Sequence, residues 1–453
     1  MGQISFTLAF ISLIILPLAS LSTSQRHCTS PDQVRAGYWF SSSNHYSPIS
    51  SINTSLYTHL YYYYITIDPA VSTVALPPPD QVPLFATFSA TLKSSNPSLK
   101  TLLSIATDEH QSSASNAAFS TMAADPNLRA TFITSTIELA RANAFDGLDL
   151  AWQLPASSID MANFGILLEE WRARIEEEAQ NASPPLLLTA TAYFSNHLFE
   201  GPTDNLDYPT DAISKNLDWL NTLSFGFHKN SNITTADAPL SEKASHFSAS
   251  YGIISWLDAG IPPCKLVMGV PLYGRSWFLK NKVKNGIGAP VVASGPKQKM
   301  SNQTGMMAYS EIEELLTDTS VVVTYDNSTV SAYFSSSNLW VSFNSLAVVE
   351  EKIEFALYNR LLGYFLWPIS FDNSNCTVSK QASDVWLKYY DSPYFKDGYL
   401  FRQAAAPFEL PPLDDSTTAS AAGSRAKQAS LKGLNRHLHL CLLLFLFFYQ
   451  TIV

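Results

Sequence analysis

The stretch FDGLDLAWQLP, residues 145–155, decides how this chain folds. It reads as a buried strand that runs into a surface turn. Side chains at alternate positions of a strand point to the same side, so Asp149, Ala151 and Gln153 share one face. In a closed parallel barrel that face looks toward the axis and the mouth at the carboxyl ends of the strands, where catalytic residues lie. Ala and Gln are unusual there, because neither carries a charge.

Eight apolar runs of strand length alternate with longer amphipathic segments along the chain. This order is typical of parallel strands joined by covering helices. It predicts an α/β fold, a (β/α)8 TIM barrel with an inserted α+β subdomain after strand seven. A doubly wound open sheet is the competing architecture, but AGYWFSSSN (36–44) has no Gly-rich phosphate loop after the first strand. The predicted strands are 36–40, 59–65, 101–106, 147–152, 186–192, 220–227, 265–274 and 361–369.

The insertion is indicated by a gap that is too long for a single crossover. Between Trp277 and about Trp340 the chain carries strand-like VVVTYD (321–326) and TVSAYF (329–334), with a helical segment around Tyr309 to Leu316. We therefore expect an inserted subdomain at about 278–340, within a barrel domain that spans 25–400.

Both ends of the chain carry targeting signals. Residues 1–24 have the short apolar core and small residues of a secretory signal peptide. Residues 401–424 read as a linker and attachment region, and 425–453 match the polar spacer and apolar tail of a glycolipid (GPI) anchor signal. A membrane tail anchor is the alternative, but the tail 438–453 has only 16 residues, fewer than the roughly 20 that cross a bilayer. We expect a secreted protein on the extracellular face of the plasma membrane or in the cell wall.

Six Asn-x-Ser/Thr sequons would be open to N-glycosylation in that compartment. They lie at Asn53, Asn181, Asn232, Asn302, Asn327 and Asn375.

Charge, cysteine and histidine content exclude several other classes of protein. Lys and Arg number 28 against 38 Asp and Glu, giving a net charge of −10 without a central basic cluster, which argues against nucleic acid as a partner. Cys28, Cys264 and Cys376 can form at most one bridge among themselves, and their pairing stays open. The nine His residues show no ligand spacing, so we predict no metal site and no cofactor.

The fourth strand resembles that of the family 18 glycoside hydrolases, most closely the plant class V chitinases. Their strand reads Asp-Gly-x-Asp-x-Asp-Trp-Glu, where this chain has Asp146-Gly147-Leu148-Asp149-Leu150-Ala151-Trp152-Gln153. Agreement continues in the expected order from GYWF (37–40) through NFGILLEEWR (163–172) and LVMGVPLYGRSW (266–277) to LGYFLWPI (362–369). The resemblance covers about residues 32–391.

The resemblance implies a catalytic apparatus that is incomplete here. In the family the final Glu protonates the glycosidic oxygen while the substrate's own acetamido group attacks, an exception to the two-carboxylate rule. The middle Asp orients that group, and the first Asp shares a proton with it. Gln153 stands in place of the proton donor and Ala151 in place of the orienting Asp, so we expect no catalytic residues. Asp149 is interpreted as a buried polar group satisfied by its neighbours.

Other family positions are altered as well. The Met-Ala-Tyr-Asp pattern on strand six reads Leu223-Ser224-Phe225-Gly226, so a hydroxyl and a carboxylate that hold the acetamido group are missing. The Ser-x-Gly-Gly pattern after strand three reads 104–107 SIAT, and a Tyr-Asp pair near the end of the insertion reads Phe343-Asn344. The degenerate positions are therefore Asp146, Asp149, Ala151, Gln153, Phe225 and Gly226.

Several residues that bind the sugar in the family are retained in this sequence. The resemblance implies that Trp367 stacks on a sugar ring, with Tyr38, Tyr273, Arg275 and Gln153 as further candidate contacts. Gln153 could equally fill the barrel mouth. Trp367 is better evidence for sugar binding, although a large buried aromatic is common in any barrel core. Replacement acids for a relocated active site are Asp108, Glu109 and Asp372.

The functional expectation is a chitinase-like, catalytically inactive protein that binds chitin oligosaccharides or other N-acetylglucosamine glycans, with a cell-wall polymer or membrane receptor as a possible further partner. One alternative is a protein-interaction scaffold or glycosidase inhibitor. A weaker alternative is an active glycosidase that uses a relocated acid.

Overall fold

The computed structural model describes residues 33–107, 113–180, 184–199, 206–228 and 231–390. The predicted signal peptide, linker and anchor signal lie outside these residues, as do Cys28, Asp108, Glu109 and Asn181. Within the described residues, no helix combines the length and apolar character needed to span a membrane.

Eight parallel strands close into a barrel, which confirms the predicted (β/α)8 architecture. Each strand pairs with its neighbours in sequence order, and the eighth closes on the first with Val34 opposite Gly363. On the fourth strand, Asp149 lies opposite Ser104 of strand three and Thr189 of strand five. The barrel strands are Val34–Phe40, His59–Ile65, Lys100–Ala106, Gly147–Ala151, Leu187–Ala192, Trp219–Thr222, Leu266–Pro271 and Gly363–Trp367.

Helices cover the outside of the barrel, and their starts follow the expected capping chemistry. The helix after strand four begins behind Ser157, whose hydroxyl accepts from the Asp160 amide at 3.1 Å, and this satisfies one of the free N–H groups of the first turn. Its apolar positions recur at three and four residues and face the strands. The described α-helices are Val82–Ser95, Ser113–Ala124, Pro126–Ala142, Ser158–Ala179, Thr210–Asn216, Ala249–Asp258, Tyr309–Leu316, Leu346–Tyr358 and Thr377–Tyr390.

The insertion after strand seven is an antiparallel sheet with one helix, Tyr309–Leu316. Its small core forms around Trp340, which packs on Trp277 and stacks on Tyr333 with ring centroids 5.2 Å apart. Strands at the centre pair along Tyr273–Leu279 and Leu339–Phe343. The remaining strands are Val291–Ser294, Met306–Ala308, Thr324–Asp326 and Ser331–Ser336.

Several predicted strands are shorter than the sequence indicated, most of all 265–274, 220–227 and 361–369, the last of which is Gly363–Trp367. The run 265–274 divides, because the chain leaves the barrel after Pro271 and Tyr273 pairs with Ala308 of the insertion instead. The run 220–227 ends at Thr222. Its last residues leave the ladder, and Gly226 has a φ of +78°, which a strand does not accommodate.

Two cysteines of the described residues differ in state. Cys264 takes part in a disulfide, whereas Cys376 is a free thiol. This arrangement is consistent with a single bridge.

Candidate functional site: the cleft at the barrel mouth

A cleft of about 1040 Å³ opens at the carboxyl ends of the barrel strands. Parallel strands bring their ends together at one face of a barrel, and for that reason residues distant in sequence meet there. Every strand contributes a residue at its end or just beyond it. These residues are Phe40, Tyr63, Thr107, Gln153, Tyr193, Leu223, Tyr273 and Trp367.

Asp149 lies beneath this cleft and does not line it. Its side chain is fully buried. The carboxylate accepts from Thr189 at 2.8 Å, from Thr191 at 3.0 Å and from the Tyr38 hydroxyl at 3.3 Å, and it also accepts from Ser104. Burial raises the pKa of Asp149, although these hydroxyl donors oppose the shift. A carboxylate so enclosed holds four strands together and cannot reach a ligand.

Ala151 and Gln153 follow Asp149 on the same side, and neither supplies an acid. Ala151 is completely buried in an aromatic cluster that includes Tyr61, Tyr63 and Phe365. Gln153 is 8 % exposed and lines the cleft, while its backbone carbonyl accepts from the Tyr208 hydroxyl. Its neutral amide has no proton to transfer to a leaving group.

Trp367 forms the floor of the cleft. It is partly exposed and packs against Tyr63, Tyr38 and Phe40, with ring centroids 4.7, 4.8 and 5.2 Å away. Phe225 closes the far side at 6.0 Å. A ring held on several sides keeps a fixed orientation, and its exposed face is a platform on which an apolar sugar face can stack.

Tyr38 requires a correction as a ligand contact. It is fully buried and lies outside the cleft lining. Its ring stacks on Tyr61 at 4.2 Å, and its hydroxyl meets Thr191 at 2.6 Å and accepts from Asn221 at 2.8 Å. The pKa of Tyr38 is raised, because burial and the nearby Asp149 both disfavour the phenolate. Tyr38 supports Trp367 from below and contacts no ligand in the cleft.

The segment that follows strand six presents Phe225 and Gly226 to the cleft. Phe225 meets Tyr273 edge-on at 6.1 Å. The amides of Gly226 and Phe227 both donate to the Asp237 carbonyl, at 3.0 and 3.1 Å. The segment is held in place by backbone bonds, and it offers neither the hydroxyl nor the carboxylate of the family pattern.

Arg275 lines the cleft as the resemblance implied, and it is held by a buried partner that sequence reasoning missed. Its Nε donates to Asp237 at 3.2 Å, and both side chains are less than a tenth exposed. Behind this pair, the buried Lys352 donates to the Ala238 carbonyl at 2.5 Å and to Asn344 at 2.9 Å. Burial lowers the pKa of Lys352 to about 7, although Asp237 opposes the shift.

A sequence signal for Lys352 did exist. It lies on the buried stripe of the helix Leu346–Tyr358, between Val348, Val349 and Ile353. A lysine on such a stripe is rarely buried without a specific partner. No comparable signal marks Asp237, which lies in a segment without regular structure.

The candidate replacement acids do not line the cleft within the described residues. Asp372 accepts from the Ser379 hydroxyl at 2.6 Å and from the Val378 and Ser379 amides, so its carboxylate caps the helix Thr377–Tyr390. Asp146 pairs with Lys93 at 2.7 Å at the start of strand four, the opposite end from the mouth. Asp108 and Glu109 lie outside the described residues.

Five of the six predicted glycosylation sites fall within the described residues, and all five are exposed. Asn302 lies at the cleft rim beside Lys299. The others are Asn53, Asn232, Asn327 and Asn375. Among the residues that the structure describes, no cluster of His, Cys, Asp or Glu could hold a metal ion.

The arrangement resembles known proteins over nearly the whole described chain. Residues 34–372 match the glycosyl hydrolases family 18. The Nod factor hydrolase protein 1 of Medicago truncatula is 37% identical over 362 residues, which are 79% of this chain and 91% of that protein.

Two solved structures are similar to this chain in both sequence and fold. A family 18 chitinase from Cycas revoluta in complex with (GlcNAc)3 is 38% identical with a TM-score of 0.72, and the match covers 78% of this chain and 99% of that one. A chitinase-like agglutinin from Robinia pseudoacacia is 34% identical with a TM-score of 0.70, over the same shares of the two chains.

Proposed function

Because this chain belongs to the glycosyl hydrolases family 18, we propose that it is a chitinase-like protein that has lost catalysis and binds N-acetylglucosamine-containing glycans in its barrel-mouth cleft. One observation carries the proposal. The described residues that line the cleft include no Asp and no Glu, and Gln153 stands where the family pattern has its proton donor. In the part of the chain that the structure describes, the cleft is present but a carboxyl group that could protonate a glycosidic oxygen does not line it.

The loss extends beyond the proton donor. Ala151, Phe225 and Gly226 replace the groups that hold the acetamido function in the family pattern. A transition state that develops positive charge needs preorganised negative groups around it. The only described carboxylate directly below the cleft, Asp149, is enclosed by four hydroxyls.

Binding, by contrast, depends on features that remain. Trp367 presents a rigid aromatic face at the cleft floor, with Gln153, Tyr273 and Arg275 as polar contacts around it. Concave sites of about this volume, in which aromatic side chains are combined with polar groups, are typical of small-ligand binding. The complex of the Cycas revoluta relative with (GlcNAc)3 supports chitin oligosaccharides as the first ligands to test.

The proposal places the protein outside the cell. The amino-terminal signal peptide and the carboxyl-terminal anchor signal support display on the extracellular face of the plasma membrane. Five exposed sequons among the described residues are compatible with a glycoprotein.

The experiment measures binding and hydrolysis on the same material. The mature chain is secreted from a eukaryotic host, and GlcNAc tetramers are titrated by calorimetry and then analysed for products by mass spectrometry. We expect saturable binding without cleavage, with the Cycas revoluta chitinase as the active control. Cleavage that disappears in Asp108→Asn or Glu109→Gln would show a relocated acid and overturn the inactive assignment.

A further inference from the structure

The charged side chains among the described lining residues of the cleft are opposite in sign to the net charge of the whole protein. Two cationic side chains, Arg275 and Lys299, line it, and the described lining residues include no carboxylate. The full sequence nevertheless carries a net charge of −10. A local charge opposite to the net charge, within a concave site, concentrates ligands of the complementary sign.

Four acidic positions of the family pattern have become neutral around this cleft. Ala151, Gln153 and Gly226 stand at or below its lining, and Asn344 lies behind it. The cationic Arg275 has been kept. A site that has lost these carboxylates and kept the Arg275 cation no longer stabilises a ligand on which positive charge develops.

One buried acid lies beside both buried basic side chains. Asp237 is the carboxylate to which Arg275 donates, and it is also the one that acts on Lys352. Lys352 has only neutral hydrogen-bond acceptors, the Ala238 carbonyl and the Asn344 amide oxygen. Because burial lowers its pKa to about 7, Lys352 carries only part of a positive charge near neutral pH, and Asp237 acts mainly on Arg275.

Arg275 is oriented for an anionic group. Its Nε is anchored on Asp237, while the residue lines the cleft. The guanidinium also hydrogen-bonds with the Tyr273 side chain, and its planar geometry suits a carboxylate at its remaining N–H groups. Lys299 is exposed at the rim of the cleft. Its side chain can contact the carboxylate of a second sugar unit of the same oligosaccharide.

We propose that the cleft selects acidic oligosaccharides, in which an aromatic platform at Trp367 takes a sugar ring while Arg275 and Lys299 take the carboxylates of uronic acid units. This inference rests on the proposed glycan-binding function and narrows its ligand class. A bound uronate supplies the negative charge that the cleft itself has lost.

The test compares three oligomers of equal length on the mature chain carrying Asn302→Gln, so that no N-glycan at the rim covers Lys299. The oligomers are a galacturonic acid tetramer, a GlcNAc tetramer and a glucosamine tetramer. We expect the acidic tetramer to bind roughly tenfold tighter than the neutral one, as one charge-assisted hydrogen bond would give. The cationic tetramer should bind weakest.

Salt and two sets of variants separate charge recognition from general sugar binding. Raising the ionic strength from about 0.01 M to about 0.15 M shortens the screening length from about 30 Å to about 8 Å, so it should weaken the acidic tetramer most. Lys299→Gln should weaken the acidic tetramer by a larger factor than the neutral one. Lys297→Gln is the matched control, because Lys297 is exposed and lies outside the cleft lining.

Arg275 is tested together with its partner. The pair Arg275→Gln and Asp237→Asn removes both charges of this ion pair. Lys352 then loses its only acidic neighbour, but burial already lowers its pKa to about 7, so it can take the neutral form. An unchanged urea midpoint checks that the fold is kept. We expect the preference for the acidic tetramer to fall toward unity.

Each result has a distinct meaning. Neutral and acidic tetramers of equal affinity would overturn the acidic selectivity and leave the proposed function standing. Binding of the acidic tetramer alone would support the selectivity and refute chitin as the ligand. Absence of binding to all three would overturn both.

Discussion

Replacing Gln153 by Glu should not restore chitin hydrolysis to the rate of an active relative, either alone or with Ala151→Asp. The single change returns a proton donor at the cleft wall. It does not return the hydroxyl and the carboxylate that hold the acetamido group in the family pattern, because Phe225 and Gly226 still follow strand six.

The magnitudes follow from the groups that are missing. A general acid contributes about 10²- to 10⁴-fold to a rate, or about 2.7–5.4 kcal/mol at 1.36 kcal/mol for each tenfold step. Each lost electrostatic stabiliser of a transition state costs about 10²- to 10³-fold. The Gln153→Glu variant therefore stays at least about 10²- to 10³-fold short of an active relative even if its new acid works fully.

Ala151→Asp also carries a cost in stability. Ala151 is completely buried among aromatic rings, and Asp149 lies two residues away on the same side. A second carboxyl group there lies among aromatic and apolar side chains, and leaving a buried polar group unsatisfied costs about 1–3 kcal/mol, or more when it is charged. The free energy of unfolding in urea should fall by that amount in Ala151→Asp and change little in Gln153→Glu.

The assay is release of shorter oligomers from a GlcNAc tetramer, with the unmodified chain and an active class V chitinase measured in parallel. Turnover of the Gln153→Glu variant close to that of the active enzyme would refute the reasoning, since it would mean that the proton donor alone had been lost. Ala151→Ser is the control for a polar group of similar size without a charge.

Three further predictions concern binding, glycosylation and pH. Trp367→Ala should weaken glycan binding by about 30-fold or more, the size of a hot-spot residue, whereas Trp367→Phe keeps a ring and should lose less by calorimetry. Asn302→Gln should increase glycan affinity of protein secreted from a eukaryotic host and leave that of deglycosylated protein unchanged, because a glycan at the rim covers part of the cleft. Burial raises the pKa of Asp149, so the folded protein holds this proton to higher pH than the unfolded chain and loses stability as pH rises above about 4, the ordinary value for Asp. Asp149→Asn cannot titrate, so urea midpoints at pH 4 and pH 7 should show the unmodified chain losing stability relative to the variant as pH rises.

The barrel could be predicted from the sequence, because apolar residues recur at different spacings in strands and in helices. Both patterns are local properties of the sequence: strands are short apolar runs, and helices have apolar residues three and four positions apart. They can therefore be recognised without knowing the fold. The helix Tyr309–Leu316 of the insertion matches its predicted bounds for the same reason. Strand ends were harder to place, since the chain leaves the barrel at Pro271 and Thr222 for tertiary pairings that no local pattern encodes.

The polar cluster behind the cleft could not be predicted. Asp237, Arg275 and Lys352 come from three distant segments, and only the folded chain brings them within reach of one another. Lys352 alone had a local signal, its place on an apolar helix stripe.

The amino-acid sequence by itself determined which chemical groups are absent, because Ala151 has no polar atom and the amide of Gln153 gives up no proton in any fold. Only the tertiary structure decided which remaining groups can meet a ligand. Tyr38 and Asp149 are enclosed by neighbouring strands and Asp372 is turned onto a helix terminus, while Trp367 and Arg275 reach the cleft. Exposure and pairing depend on what packs around a side chain, and that is a property of the whole fold.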